Sequence, residues 1–442
     1  MDFITGGVLC IALLLILMAT GLQIGLAFVL SGLVVSSMLL STKSALSLIG
    51  QVSYFSIATP TWACIPLFIL MGSFAALGGF ARRAYNGVNA LSQGIPGSLG
   101  VATCYSCAVF GAISGSSIAT TAIFGKMALP EMNRLRYDKT FSVGCIASAG
   151  TFASMIPPSM MMIIYALFTQ QSVGKLFAAG IIPGFITATV YSLSIMYRVK
   201  KNPELAPSGV SEKKSQTFGQ KWTEAAQMWP VIVIAVVVLG GIYSGLFTPT
   251  EAAAAGALIT LVFGWALGTF RRMSTVVTAM KDSANTTAML FLINVGALFY
   301  SRVLAVTRLP TELTMMLQNF DVPRIFILIG ILLIMFFLGM IMVPVGIYAL
   351  TLPIVMPMLI SLGYDPIWFG VIALKLTEIG AITPPVGLNV YAMKGVIPRE
   401  SNISLEDIFR GIWPFCLCDI VVLIILIIFP QLSTWLPEVL LG

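Results

Sequence analysis

The sequence predicts an all-α polytopic membrane protein built from two inverted repeats, each of about five spans plus a re-entrant hairpin. Two observations carry this reading. First, apolar stretches of spanning length recur from end to end in a chain that is 58% hydrophobic and only 9% charged, where a soluble domain carries roughly 25% charged residues. Second, one pattern occurs twice. Tyr137-Asp138 is followed twenty residues later by Pro157-Pro158, and Tyr364-Asp365 is followed at the same spacing by Pro384-Pro385. These are the only Tyr-Asp and Pro-Pro pairs in the sequence. Pro130 and Pro357 share the same offset of 227 residues, and Gly180-Ile-Ile-Pro183 is echoed by Gly411-Ile-Trp-Pro414 after a short insertion. A duplicated, proline-broken segment inside a strongly apolar chain marks a membrane protein of two related halves.

The candidate spans in the first half are about 3–20, 22–40, 57–78, 141–168 and 176–197. Those in the second are about 229–246, 249–269, 287–305, 366–393 and 412–430. The first run carries Asp2 and no basic flank, so it reads as a span and not as a cleaved leader. The regions 98–127 and 325–361 are richer in Gly, Ser or Pro and hold too much for one span each, so each is expected to enter and leave on one side. The alternating pattern of a β-barrel is absent. The expected organisation is therefore a first repeat over 1–197, a polar linker over 198–227 and a second repeat over 228–442. The linker carries Arg198, Lys200, Lys201, Lys213, Lys214 and Lys221 against Glu204 and Glu212, which places it in the cytoplasm. Threading outward from it puts Arg82, Arg83, Lys126, Arg134, Arg136, Lys139, Arg271, Arg272, Lys281, Lys394 and Arg399 inside. Arg302, Arg308 and Arg324 are the exceptions. Both termini fall outside, and the halves take opposite orientations.

The net charge of +7 reflects these loops and does not argue for nucleic acid. The sequence contains no histidine, which removes Ser-His-Asp, Cys-His and His-ligated metal chemistry, and no Gly-x4-Gly-Lys-Ser/Thr loop is present to hydrolyse ATP. Cys104-x-x-Cys107 and Cys416-x-Cys418 lie within apolar segments and read as small core residues. An enzyme is not expected, nor is an organic cofactor.

Three elements remain as candidates for chemistry. The first hairpin holds Phe110-Gly-Ala-Ile-Ser-Gly-Ser-Ser-Ile-Ala-Thr-Thr121. Its glycines permit a tight turn and its hydroxyls suit a hard cation or a carboxylate, although small residues also serve helix packing. In Ala149-Gly-Thr-Phe-Ala-Ser-Met-Ile-Pro-Pro158 two prolines remove two N–H donors, so the carbonyls of Ala153 to Ile156 need another partner: a cation such as Na+, a water or a local 3-10 turn. The second copy, Glu378-Ile-Gly-Ala-Ile-Thr-Pro-Pro-Val-Gly-Leu-Asn389, adds Lys375 and Glu378 on one helix face, as functional groups or as an i,i+3 ion pair. Thr248-Pro249-Thr250-Glu251 predicts a capping box at a helix start.

These residues resemble the large membrane (M, or DctM-type) subunit of tripartite ATP-independent periplasmic (TRAP) transporters. The resemblance rests on Phe110–Ser117, Ala128-Leu-Pro-Glu-Met132, Ile156-Pro-Pro-Ser159, Ser172-Val-Gly-Lys-Leu-Phe177, Phe247-Thr-Pro-Thr-Glu-Ala252, Asp365-Pro-Ile-Trp-Phe-Gly370 and Ile382-Thr-Pro-Pro-Val-Gly387, in order along nearly the whole chain. It implies an inner-membrane, elevator-type transporter subunit that imports a small organic anion, a carboxylate or sulfonate, driven by Na+. It also implies two partners, a small four-helix membrane (Q) subunit and a periplasmic substrate-binding protein. The resemblance places a first Na+ site at Ser114, Ser116, Ala153, Ile156 and Pro158, mainly through backbone carbonyls. The internal offset extends this to Ile341, Val343, Gly380, Thr383 and Pro385. Ser117, Thr151, Glu378 and Asn389 are the polar candidates for substrate contact. The pattern departs at Gly339-Met-Ile-Met-Val-Pro-Val-Gly346, where related chains often carry Asp at the position of Val343 and a small residue at that of Pro344. Ala149 and Ala153 stand where Gly is common. Two other readings are a self-sufficient ion or carboxylate carrier of related inverted-repeat fold, and a channel or non-transporting membrane scaffold.

Overall fold

The computed structural model describes residues 2–207, 218–319, 322–398 and 401–442, and over these residues the chain is helical without a strand. Glu212, Lys213, Lys214 and Arg399 lie outside the described residues. The first half begins with α1 (Phe3–Ala19), α2 (Ile24–Leu39), α3 (Thr42–Ala58), α4 (Cys64–Leu77) and α5 (Phe80–Ser92). A hairpin follows, α6 (Ser98–Ser114) and α7 (Ser117–Arg134), then the broken span α8 (Lys139–Ala149), α9 (Phe152–Met155) and α10 (Met160–Thr169), and then α11 (Val173–Lys201). α12 (Phe218–Ala225) precedes the second half: α13 (Trp229–Tyr243), α14 (Pro249–Ala266), α15 (Met273–Val306) and α16 (Leu309–Asn319). The second hairpin is α17 (Arg324–Gly339) and α18 (Pro344–Ser361), the second broken span is α19 (Pro366–Ile382) and α20 (Leu388–Val396), and α21 (Leu405–Ile428) and α22 (Gln431–Leu441) end the chain. Among the described residues seven helices are long and apolar enough to cross a membrane, or eight if the pair bent by 44° at residues 156–159 counts as one span.

The offset of 227 runs through the helices themselves. α6 and α7 recur as α17 and α18, α8 and α9 as α19, α10 as α20, and α5 as α16. It also explains a helix absent from the candidate spans. α3 and α4, interrupted at Pro60, correspond to the uninterrupted 34-residue α15. α3 carries Lys43, Gln51 and four serines, so its hydropathy is too low to flag it. The candidate 287–305 is only the apolar end of α15. α11 runs on to Lys201, so the polar segment that follows begins within a helix.

Each Tyr-Asp pair is a corner between a hairpin and its broken span. At the end of α7 the N–H of Tyr137 bonds the Met132 carbonyl at 2.9 Å and that of Arg136 bonds Asn133 at 3.0 Å, with Arg136 at φ 58°. At the end of α18 the N–H of Tyr364 bonds Leu359 at 3.0 Å and that of Gly363 bonds Ile360 at 3.0 Å, with Gly363 at φ 76°. Both are Schellman closures, which satisfy the last free carbonyls of a helix. The aspartates then cap the next helices: Asp138 accepts from the Phe141 N–H at 2.7 Å and Asp365 from the Trp368 N–H at 2.8 Å. Each tyrosine also holds the start of its own hairpin. The Tyr137 hydroxyl accepts from the Leu99 N–H at 3.3 Å, and the Arg324 guanidinium lies 5.6 Å from the Tyr364 ring centroid. The capping box at Thr248 and Glu251 forms as expected.

The Pro-Pro pairs end α9 and α19. The residues before them, Ile156 and Thr383, are extended at φ −86°, ψ 124° and φ −101°, ψ 143°, because a following proline disfavours helical geometry. Glycines then bring the hairpins onto the breaks. A Cβ on Gly111 would lie 2.6 Å from Ala153 Cα, and one on Gly380 would lie 2.5 Å from the Gly339 carbonyl carbon. α8 and α21 cross as closely, since a Cβ on Gly144 would lie 2.1 Å from the backbone of Gly411.

Lys375 and Glu378 do not pair with each other. Lys375 on α19 forms its ion pair with Asp419 on α21 and donates to the Thr187 hydroxyl on α11 at 3.3 Å. Asp419 also accepts from the Tyr191 hydroxyl at 2.7 Å. The i,i+3 pairing loses because Asp419 offers a carboxylate with a second donor already in place, and all of these groups are buried.

Two stability predictions follow from this packing. Gly144→Val and Gly411→Val abolish the monodisperse peak in size-exclusion chromatography, whereas Gly330→Ala, with open space around it, leaves it intact. Lys375→Met or Asp419→Leu alone costs about 3–5 kcal/mol by stranding one buried charge, and the double variant recovers most of the thermal stability. Equal melting shifts in single and double variants would show that the pair contributes no coupling.

Candidate functional site

Two hairpin tips and two helix breaks surround one cavity of about 50 Å³, room for a few water-sized groups. Ser117 from the first tip and Pro344 from the second line it, with Ser154 and Met160 from the first break and Ala381 and Leu388 from the second. Four of these belong to the first turns of helices: Ser117 of α7, Pro344 of α18, Met160 of α10 and Leu388 of α20. Helix N-termini present free N–H groups and a partial positive charge, which receive an anion. α9 and α19 reach the same cavity with their carbonyl ends, which receive a cation.

The two repeats finish these ends differently. Ser116 caps α7 by accepting from the Ala119 N–H at 3.4 Å, and Ser159 caps α10 by accepting from Met162 at 3.3 Å. Neither α18 nor α20 receives a side-chain cap. At α20 the Asn389 side chain is fully buried, and among the described residues neither its oxygen nor its nitrogen has a partner. An uncapped N-terminus beside a free amide favours an anion.

The first carbonyl set comes together at the tip of α6 and α7. Ser114, Ala153 and Pro158 are buried, and Ser116 and Ile156 are half-buried. A Cβ on Gly115 would lie 2.9 Å from the Pro158 carbonyl oxygen, which measures how closely tip and break approach. Among the described residues no backbone N–H reaches the carbonyls of Ser114, Ala153, Ile156 or Pro158 from outside their own helices. Ser116 is the exception, its carbonyl accepting from Thr120 at 3.1 Å. The Ser114 hydroxyl is engaged with that of Thr120 at 3.0 Å, which leaves its carbonyl as the available group.

The second set is less free. The Val343 carbonyl accepts from Gly346 and Ile347 at 2.9 and 3.2 Å, and the Gly380 carbonyl accepts from Thr383 at 3.1 Å. The Thr383 hydroxyl donates to Ile379 at 2.6 Å. The side chains of Ile341 and Pro385 lie at the surface.

Of the four polar candidates, Ser117 lines the cavity and donates to Glu378 at 3.4 Å, which ties Glu378 to the site, and Asn389 stands next to the wall residue Leu388. Thr151 is not among the wall residues, and its hydroxyl donates to the Ser148 carbonyl in its own turn at 2.7 Å. The sequence reading missed Ser154, a wall residue, and Asp419, the partner of Lys375. Asp419 carried a usable signal as an acid inside an apolar span.

The architecture is shared with known proteins. A family model described as "Tripartite ATP-independent periplasmic transporter, DctM component" matches residues 11–432. A C4-dicarboxylate TRAP transporter large permease protein DctM of Pseudomonas aeruginosa is 35% identical over 86% of this chain and 86% of its own. An isethionate TRAP transporter permease protein DctMQ of Oleidesulfovibrio alaskensis is 31% identical over 88% of this chain and 59% of its own. Among solved structures, the YdaH transporter of Alcanivorax borkumensis matches with a TM-score of 0.62 over 90% of each chain at 15% identity, a likeness of fold. The chain belongs to the DctM component family of tripartite ATP-independent periplasmic transporters, the large permeases of the inner membrane.

Proposed function

We propose that this permease imports a small organic anion, a carboxylate or sulfonate, coupled to Na+. The observation that carries this reading is the convergence of four helix N-termini and the carbonyl ends of α9 and α19 on one cavity between the hairpin tips. The N–H ends, above all α20 with Asn389, receive the anion. The orphan carbonyls of Ser114, Ala153, Ile156 and Pro158 take Na+, and the equivalent set in the second repeat takes a second, more weakly held ion. Relatives named for C4-dicarboxylate and for isethionate, a sulfonate, support the substrate class. Substrate arrives from a periplasmic binding protein, and a small Q subunit supports the permease. The relative named DctMQ, whose own chain is the longer one, is consistent with such a neighbour. Na+ binding completes the pocket, and the hairpins and broken helices then move together against the remaining helices in an elevator cycle.

The test is uptake into proteoliposomes containing the permease, its small subunit and the binding protein. Accumulation requires an inward Na+ gradient and the binding protein; accumulation without either one overturns the reading, and uptake by this chain alone favours a self-sufficient carrier. Ser114→Ala retains most of the uptake because only the carbonyl is used, whereas Ser114→Leu abolishes it by wedging the tip from the break. Asn389→Ala raises the KM at least about tenfold, the loss expected when a buried polar contact to an anion is removed.

A further inference from the structure

We propose that Glu378 forms a cation site of its own, between the repeats: its free carboxylate oxygen and the hydroxyls of Ser117 and Ser154 hold one Na+, and this ion turns the cavity from repelling an anion to accepting one. The inference rests on the anion-import reading above and adds a site separate from the two carbonyl sets.

The geometry is specific. Glu378 is 3% exposed, deep in α19. Oε1 accepts from the Ser117 hydroxyl at 3.4 Å, and among the described residues Oε2 has no partner. Ser154, on α9, faces the same carboxyl group, and both serines line the cavity. The site thus joins the first hairpin, the first broken helix and the second broken helix, whereas each carbonyl set stays within one repeat.

The charges point the same way. Lys375, one turn before Glu378, is committed to Asp419. With Lys375 committed to Asp419, an ionised Glu378 has no counter-charge among the described residues. An unpaired carboxylate in a membrane interior is costly, and a carboxylate beside the anion cavity opposes the substrate. A hard monovalent cation answers both demands with the oxygens at hand. Each serine hydroxyl rotates to offer a lone pair, and the carboxylate supplies the charge.

The experiment counts 22Na+ bound at equilibrium to the full chain in nanodiscs, with choline chloride holding ionic strength constant. Glu378→Gln, which keeps shape and loses charge, binds one Na+ fewer per chain than the wild type. Ser117→Ala with Ser154→Ala keeps the count and shifts the midpoint of one ion by about tenfold or more. Unchanged stoichiometry and midpoints in Glu378→Gln overturn the proposal while leaving Na+ coupling in place. A wild type that binds no Na+ brings down the coupling reading as well. If Glu378→Gln yields no folded protein, the double serine variant decides, and an unshifted midpoint refutes the site.

Discussion

Everything in this molecule follows from one constraint: a backbone carbonyl in a water-poor interior must find a partner. Two Pro-Pro pairs, placed inside buried spans, remove the donors that would have supplied it. A soluble protein would solve the problem with water. Here the chain brings a hairpin tip to each break, and glycines at 111, 115, 339 and 380 let the two backbones approach closely enough to matter. The cavity is the space left where these two solutions meet across the repeat boundary.

The repeats share a frame and divide the work. In the first, α9 is a single turn and its neighbours leave several carbonyls free, while serine caps occupy the N–H groups of α7 and α10. In the second, α19 runs unbroken to the prolines and the Gly380 carbonyl, unlike that of Ala153, is already used, while the N-termini of α18 and α20 lack side-chain caps. The first half therefore offers more free carbonyls and the second more uncapped N–H ends. Val343 and Pro344, which look like the loss of a polar tip, fit that division: a proline at N1 starts α18 without a hydroxyl cap.

Most of the fold was legible, because the features that build it are local. Tyr-Asp corners, Pro-Pro breaks and the Thr248 capping box each act within a few residues, so a one-dimensional pattern records them. α3 was not legible, because its Lys43, Gln51 and serines lower its hydropathy below that of a span, and only the alignment of α3 and α4 with α15 makes its place plain. The partner of Lys375 was not legible either. Helical spacing offered Glu378, but the choice of Asp419 depends on which helices pack together, and α21 meets α19 only in three dimensions. The same applies to Thr151, whose hydroxyl turns back to Ser148 when the helix forms.

Ser114 stands at the tip because it is small, and its hydroxyl is taken up by Thr120. A ligand set made of main-chain carbonyls cannot be tuned by side-chain chemistry; it is tuned by how closely two backbones approach. That makes the glycine contacts part of the proposed site as much as the carbonyls themselves. It also explains why Ala153 stands where its counterpart is Gly380: the first approach leaves room for one methyl, with that Cβ 3.3 Å from the ideal Cβ position of Gly111, whereas the second places bare backbone on bare backbone. A difference of one methyl thus separates the packing of hairpin on break in the two repeats.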